Sequence, residues 1–463
     1  MTGINTALLR TGAFGLLTAL TLTGQQNQFQ GSIPTGTASP QPISLTLRDA
    51  IDRGLRTNLG LLISDSTAET ARGQRIQALS ALLPTVTGQV GQHVEQVSLA
   101  TIGINFSAPG FSIPKVVGPF HYTDVRALAS WTAFDYTAIK NHRSAQESER
   151  ASRLSAQDAR DVVVQAVASG YLEVIADASR IAAIRSQVET AQALYDRAVD
   201  QLQAGTTARI DVLRSQVELK QQQQRLIAQE NQFAKDKLAL GRVIGLPAGQ
   251  DLSIAESVPF AALTSLTQEQ ALSTAFEQRP DFQSYQARVH AAEESVKAAR
   301  GQRYPTGLIT GDYGDVGTSL ANSHGTFTFA ASARFNIYDG RRIEGDIVQA
   351  KAALKQREDE LADLRGQIDY QVRTAFLDIR TAADQVVVAE SNLDLANETL
   401  VQARDRFSAG VSDNIEVVQA QESVATANDS LIAALYSHNV AKVELARALG
   451  AADKGIQRFM EVK

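Results

Sequence analysis

Between residues 164 and 202, apolar side chains recur at alternating steps of three and four. Val164, Val167, Tyr171, Val174, Ala178, Ile181, Val188, Tyr195, Val199 and Leu202 fall on this register, interrupted at Arg185 and Gln192. Residues so spaced lie on one stripe of a helix, the seam of a coiled coil. No proline and only Gly170 weaken the run 136–204. A helix of that length reaches roughly 100 Å at 1.5 Å per residue. Residues 341–408 repeat the feature, with Gly345 and Gly366 inside. A further seam of Val424, Ala427, Leu431, Leu435 and His438 predicts a return helix.

Other stretches alternate with period two. In TFTFAASARFNIY (326–338), Phe327, Phe329, Ala331, Ala333, Phe335 and Ile337 share one face, opposite Thr328, Ser332, Arg334 and Asn336. This is a strand pattern. In 125–134, Val125, Ala127, Ala129, Trp131 and Ala133 alternate with Arg126, Ser130 and Thr132. In 85–95, Val86, Val90 and Val94 oppose Thr85, Thr87, Gln89 and His93. The weakest strand pattern is 306–316. Strands of about ten residues with one apolar and one polar face suit a transmembrane β-barrel. The same alternation also suits a small sheet with one wet face. Four strands cannot close a barrel, which takes about eight. If these strands span a membrane, several chains must share one barrel, and three would supply twelve strands.

The elements occur in duplicate. AGTTARIDVLRSQ (204–216) and AGVSDNIEVVQAQ (409–421) align without a gap at an offset of 205. KLALGRVIG (237–245) matches KVELARALG (442–450) at the same offset. LTLRDAIDRGLRTNL (45–59) resembles LTQEQALSTAFEQRP (266–280), and Pro84 and Pro305 follow suit. Each half therefore reads as a helix of about 40 residues stopped by proline, a strand hairpin, a very long helix, a tip and a return helix. In each tip the Ala-Gly pair ends one helix, because glycine tolerates the left-handed conformation. Thr206 and Thr207, then Ser412 and Asp413, are expected to cap the next. The expected organisation is a first repeat over 44–250, with strands at about 85–100 and 121–134 and tip 204–212. A linker over 251–264 leads to a second repeat over 265–450, with strands at about 306–316 and 326–338 and tip 409–417. A C-terminal tail covers 451–463.

Composition narrows the function. The 463 residues carry a net charge of −6, so no basic excess points to nucleic acid. There is no cysteine, which excludes disulfides, thiolate metal sites and a cysteine nucleophile. Arg10 followed by Ala13 to Leu22 (AFGLLTALTL) has the form of a signal sequence, expected over 1–24. The polar stretch 25–43 reads as a linker. No later apolar run is uninterrupted over the length of a membrane-spanning helix. The histidines His93, His121, His142, His290, His324 and His438 lack ligand-like spacing. No phosphate-binding or nucleophile-elbow motif appears, and GDYGDVG (311–317) precedes no helix. Neither an enzyme nor a cofactor is expected.

Taken with the strand-to-helix junctions WTAFDY (131–136) and FNIYDG (335–340), this duplicated order resembles the TolC family of outer-membrane efflux channels. The likeness covers about 44–450. It implies a mainly α fold with a small β part: long antiparallel coiled-coil hairpins forming an α-barrel, plus four transmembrane strands per protomer completing a trimeric twelve-stranded β-barrel. It implies a homotrimer in outer-membrane lipid, with a large periplasmic part. A periplasmic adaptor would join it to an inner-membrane transporter, in tripartite efflux or type I secretion. Ala204, Gly205, Thr206, Ala409, Gly410 and Val411 would then meet the adaptor.

The periplasmic gate would involve Asp211, Phe407, Ser412, Asp413, Glu416 and Gln419. By motif position Glu416 matches the family's first constriction acid, and Gln419 occupies the second. Phe407 stands where the family has a tyrosine bonded to the acid at Asp211. Ser412 replaces the latch arginine, leaving Asp413 as the nearby charge. Alternatively, Glu416 and Asp211 are simply acids favoured at helix starts. The competing reading of the whole chain is a non-membrane periplasmic coiled-coil adaptor or strut. An adaptor would also carry a domain of many short strands, and none is legible.

Overall fold

The computed structural model describes residues 29–463 except 104–106, 109, 113, 256–265, 413, 454 and 457–463. The expected signal peptide lies outside the described residues. In chain order the main elements are β1 (Ile43–Leu45), α1 (Leu47–Thr57), α2 (Leu59–Ser80), β2 (Thr85–Ser98), β3 (Val116–Phe134), α3 (Tyr136–Gln203) and α4 (Arg209–Val243). Then follow β4 (Leu252–Ile254), α5 (Gln268–Gln278), α6 (Pro280–Gly301), β5 (Thr306–Gly317), β6 (Ser323–Arg334), α7 (Arg342–Ser408) and α8 (Asn414–Ala448). The chain divides into two compact units.

One unit comprises Ala68–Ala151 and Tyr285–Leu361. It holds a four-stranded antiparallel sheet in the order β2-β3-β5-β6. Its register puts Val86, Val90, Val125, Ala127, Ala129, Trp131, Ile309, Tyr313, Phe327 and Phe329 on one face. Thr85, Gln89, His93, Arg126, Asp312 and Thr328 lie on the other, where Arg126 pairs with Asp124 and Asp312. β3 starts at Val116, earlier than 121, and β6 ends at Arg334 instead of 338. Arg334 pairs with Thr306, the first residue after Pro305, so no partner strand remains beyond it. Phe335, Ile337 and Tyr338 therefore leave the alternation and stand exposed. Helix packing in this unit combines small apolar side chains, among them the cluster of Ala299, Ile343 and Ile347, with ion pairs: Arg75 pairs with the buried Glu149, and Lys140 reaches Glu294 at 2.9 Å.

The other unit comprises Met1–Thr67, Ser152–Ser284 and Ala362–Lys463. Its main core gathers Ala50, Ile51, Val163, Val164, Val167, Tyr171, Val174, Leu240, Ile244 and Val443. The expected single 40-residue helix of each half is broken in two. At Asn58 the side-chain oxygen caps Gly60 N at 2.9 Å and the amide donates to Phe29 O. At Arg279 the residue precedes Pro280, whose ring disfavours helical geometry before it. The polar stretch after residue 28 is strapped down: Ile33 N donates to Thr57 O and Thr35 N to Gly245 O. β1 then pairs in parallel with β4, joining the two stretches read as linkers.

The α3 seam departs from a strict heptad. Val164, Val167, Tyr171 and Val174 are buried, then Asp177 takes a second three-residue step where Ala178 was expected. Asp177 is held by Arg180 (2.9 Å) and Gln229 (2.8 Å). The inserted step rephases the stripe. Ile184, Ala191, Leu194 and Ala198 become buried, and Arg185 and Gln192 turn to solvent. One window of α3 is apolar enough for a membrane span by composition, a feature the sequence pattern did not single out, but half of it is buried within the protein.

His438 and Lys442 are buried on α8. Burial, then the Lys442 charge, push the His438 imidazole down to about 4. A folded-state value below the ordinary 6.5 means stability that is present above pH 6.5 and lost as pH falls toward 4. We expect thermal stability to decline across that window, and His438→Leu to flatten the decline.

Candidate functional site

The two tips are built by one local device. α3 ends with Gly205 N on Leu202 O (3.0 Å), Thr206 N on Gln201 O (2.9 Å) and Gly205 at φ +71°. α7 ends with Gly410 N on Phe407 O (3.1 Å), Val411 N on Arg406 O (3.0 Å) and Gly410 at φ +70°. This paired bonding closes the last carbonyls of a helix, and its left-handed residue favours glycine. The repeated Ala-Gly is therefore a repeated helix stop. The duplicated tails end likewise at Gly245 and Gly450, both at φ +68°.

The expected cap of α4 is not formed: the helix starts after Ala208 with no side-chain cap. Thr206 Oγ1 donates back to Gln201 O, and Thr207 Oγ1 donates to Asp211 Oδ2 at 3.0 Å. Ser412 Oγ is buried without a hydrogen bond, and Asp413 lies outside the described residues.

Residues expected at the gate fall into three settings. Asp211 accepts from Thr207 and lies 3.4 Å from Arg214, so its carboxylate is held within its own hairpin. Phe407 packs, partly buried, on the apolar cluster of Leu194, Leu400, Val417 and Val424. Glu416 lies 3.3 Å from Arg406, across the tip on the preceding helix. Both are about half exposed, so the pair contributes well under about 1 kcal/mol. Gln419 is exposed. Ala204, Gly205, Thr206, Ala409, Gly410 and Val411 form the tip turns. Val411 of these turns, and Ile210, Leu213 and Val217 beside them, expose apolar side chains.

Sequence reasoning missed the residue that joins the tips. Asn414 is 1 % exposed, and its Nδ2 donates to Ser215 Oγ (2.7 Å) and Asp211 O (3.3 Å). Ser215 Oγ donates in turn to Asp211 O at 3.0 Å. The two hairpins of one chain are thus tied by an uncharged bridge between the first turns of α4 and α8. Arg406 was missed as well. Its partner lies ten positions on, beyond the reach of any helical periodicity.

Residues 271–451 match the family model described as outer membrane efflux protein. The toluene efflux pump outer membrane protein TtgC of Pseudomonas putida is 23% identical, over 87% of this chain and 82% of its own. The outer membrane protein OprJ of Pseudomonas aeruginosa is 24% identical, over 88% and 84%. Among solved structures, the Campylobacter jejuni CmeC outer membrane channel superposes with a TM-score of 0.76 at 16% identity, covering 99% of this chain and 98% of that one. Together with the duplicated hairpins and the two-faced sheet, these likenesses show the fold of outer membrane efflux channels, with residues 271–451 matching the efflux-protein family itself.

Proposed function

We infer that this protein is the outer-membrane channel of an efflux or secretion system, a passive duct with no chemistry of its own. The observation that carries the reading is the sheet. Val86, Val90, Phe327 and Phe329 are 72–78 % exposed on one largely apolar face, which turns polar only toward Gln92, Thr123 and Asp315, while the opposite face is mainly polar and ionic. In water such a face would be an aggregation surface. In a bilayer it is the lipid side of a barrel whose lumen is wet. Among the described residues no strand pairs with the outer edges of β2 and β6. Open edges are not tolerated in lipid, and four strands do not close. Three copies pairing β6 to β2 around an axis give twelve strands and remove every edge.

The tips then form the periplasmic mouth. Ala204 to Thr206 and Ala409 to Val411, with the exposed apolar residues beside them, offer a surface to an adaptor protein that brings an inner-membrane transporter. The constriction involves Phe407, Ser412, Asp413, Glu416 and Gln419, with Glu416 favouring cations. A gate built this way opens by moving the second hairpin away from the first. Asn414 is then its latch. Removing it costs Ser215 one of its two hydrogen bonds, about 0.5–1.5 kcal/mol set against the closed state. Asn414→Ala should raise single-channel conductance several-fold in planar bilayers, with assembly unchanged. Unchanged conductance would remove Asn414 from the gate.

The overall reading is tested by fractionation: the protein should travel with outer membranes and require detergent for extraction. A non-membrane strut or adaptor would be released without detergent, and the exposed apolar sheet face disfavours that reading.

A further inference from the structure

A cavity of about 380 Å³ lies among α3, α4, α7 and α8, toward the tips of the hairpins. Its lining carries an unusual combination of buried groups. Glu218 is 7 % exposed, and among the described residues no cation pairs with it; its hydrogen bond comes from Gln222 Nε2 at 2.7 Å. Gln222 and Gln421 are 3 % and 8 % exposed, and the Oε1 atom of each is buried without a donor. The cationic side chain of the lining, Arg404, is exposed to solvent. Leu400 and Val424 supply an apolar wall.

Each feature is costly when left alone. A buried carboxylate needs a counter-charge, and a buried amide oxygen needs a donor. Water satisfies the amides but supplies no charge. A bound divalent metal does not suit the lining, because such ions draw on several carboxylates and Glu218 is the single one. Among the described residues no cluster of three metal-binding side chains exists. A primary ammonium carries one positive charge and three N–H donors with no acceptor. Its charge suits the carboxylate and its N–H donors suit the two unpartnered amide oxygens, in a lining otherwise made polar by Ser186, Gln187, Thr190, Asn397 and Asn428. The cavity volume is that of an organic molecule rather than of a bare ion.

We propose that this cavity is a binding site for a small primary alkylammonium ion, held by Glu218, Gln222 Oε1 and Gln421 Oε1 with its hydrocarbon part against Leu400 and Val424. The site belongs to the helical bundle of a single chain. It goes beyond the channel reading and does not depend on it.

The test is equilibrium dialysis of the purified, detergent-solubilised full chain with labelled n-butylammonium. Tetramethylammonium serves as competitor, because it carries the charge but no N–H donor. We expect one saturable site per chain that tetramethylammonium does not displace. Losing the charge in Glu218→Gln should weaken binding roughly tenfold or more. Gln421→Met, which keeps the carboxylate and the side-chain length, should weaken it several-fold and decides the matter should Glu218→Gln not assemble. Absence of saturable binding, equal displacement by tetramethylammonium, or wild-type binding by an assembled variant would each overturn the proposal.

Discussion

Replacing Phe327 and Phe329 together by arginine will prevent the protein from assembling in the outer membrane. Both side chains stand 72–78 % exposed near the middle of β6, on the apolar face of the sheet. If that face meets lipid, each arginine costs about 2–4 kcal/mol near the bilayer midplane. Two of them in each of three chains sum to about 12–24 kcal/mol, as large as or larger than the stability of an ordinary fold. Thr328→Arg is the internal control. It lies between the two phenylalanines but faces the polar side, opposite Asp312 in the register. It should assemble normally. Outer-membrane fractions probed for the extracted protein separate the two outcomes. Equal tolerance of both changes would mean that the apolar face does not meet lipid.

Arg279→Met should produce the largest loss of stability in the helical unit. The side chain is 3 % exposed, and it donates to Asp281 Oδ1 (3.0 Å) and Oδ2 (2.6 Å), to Gln371 Oε1 (2.7 Å) and to Ala448 O (3.3 Å). It therefore fastens the break between α5 and α6 to α7 and to the end of α8. Burial pushes the Asp281 carboxyl up, but the hydrogen bonds and charge of Arg279, with Arg447, outweigh it and hold the group below the usual range. Deleting the guanidinium leaves that carboxylate buried with the Phe282 N–H (2.8 Å) and the charge of Arg447 but no paired cation. Breaking a buried pair from one side costs about 3–5 kcal/mol. Arg279→Met with Asp281→Asn removes the stranded charge and should recover much of the loss. Thermal unfolding of the detergent-solubilised protein reads both. A single variant as stable as wild type would show that the pair is replaceable by packing alone.

What the sequence made legible follows from how locally each feature is encoded. The tips were readable because one glycine and the helical stripe before it suffice to stop a helix, and Gly205 and Gly410 do so with matching bonds. The two faces of the sheet were readable because period two leaves no ambiguity once the register is set. Strand ends were not, because β6 stops where Pro305 removes its partner, a fact about another segment. The phase of the α3 seam was misread beyond Val174, since the placing of Asp177 inside depends on Arg180 and on Gln229 of the neighbouring helix. The breaks at Asn58 and Arg279 interrupt apolar patterns that look continuous, although the proline after Arg279 is a local signal for one of them. At the tips the motif located the right turns but not the contacts. Asn414 finds Ser215 199 positions away. No spacing rule reaches that far, so the uncharged bridge emerged only from the fold.

A closed channel requires three chains to share one barrel. Native mass spectrometry of the detergent-solubilised protein, supported by negative-stain images, measures this directly. Particles of three chains that fall apart or precipitate when detergent is withdrawn are the predicted result. Single chains that stay soluble without detergent would contradict it, because the exposed face of β2, β3, β5 and β6 would then have neither lipid nor a neighbour to meet.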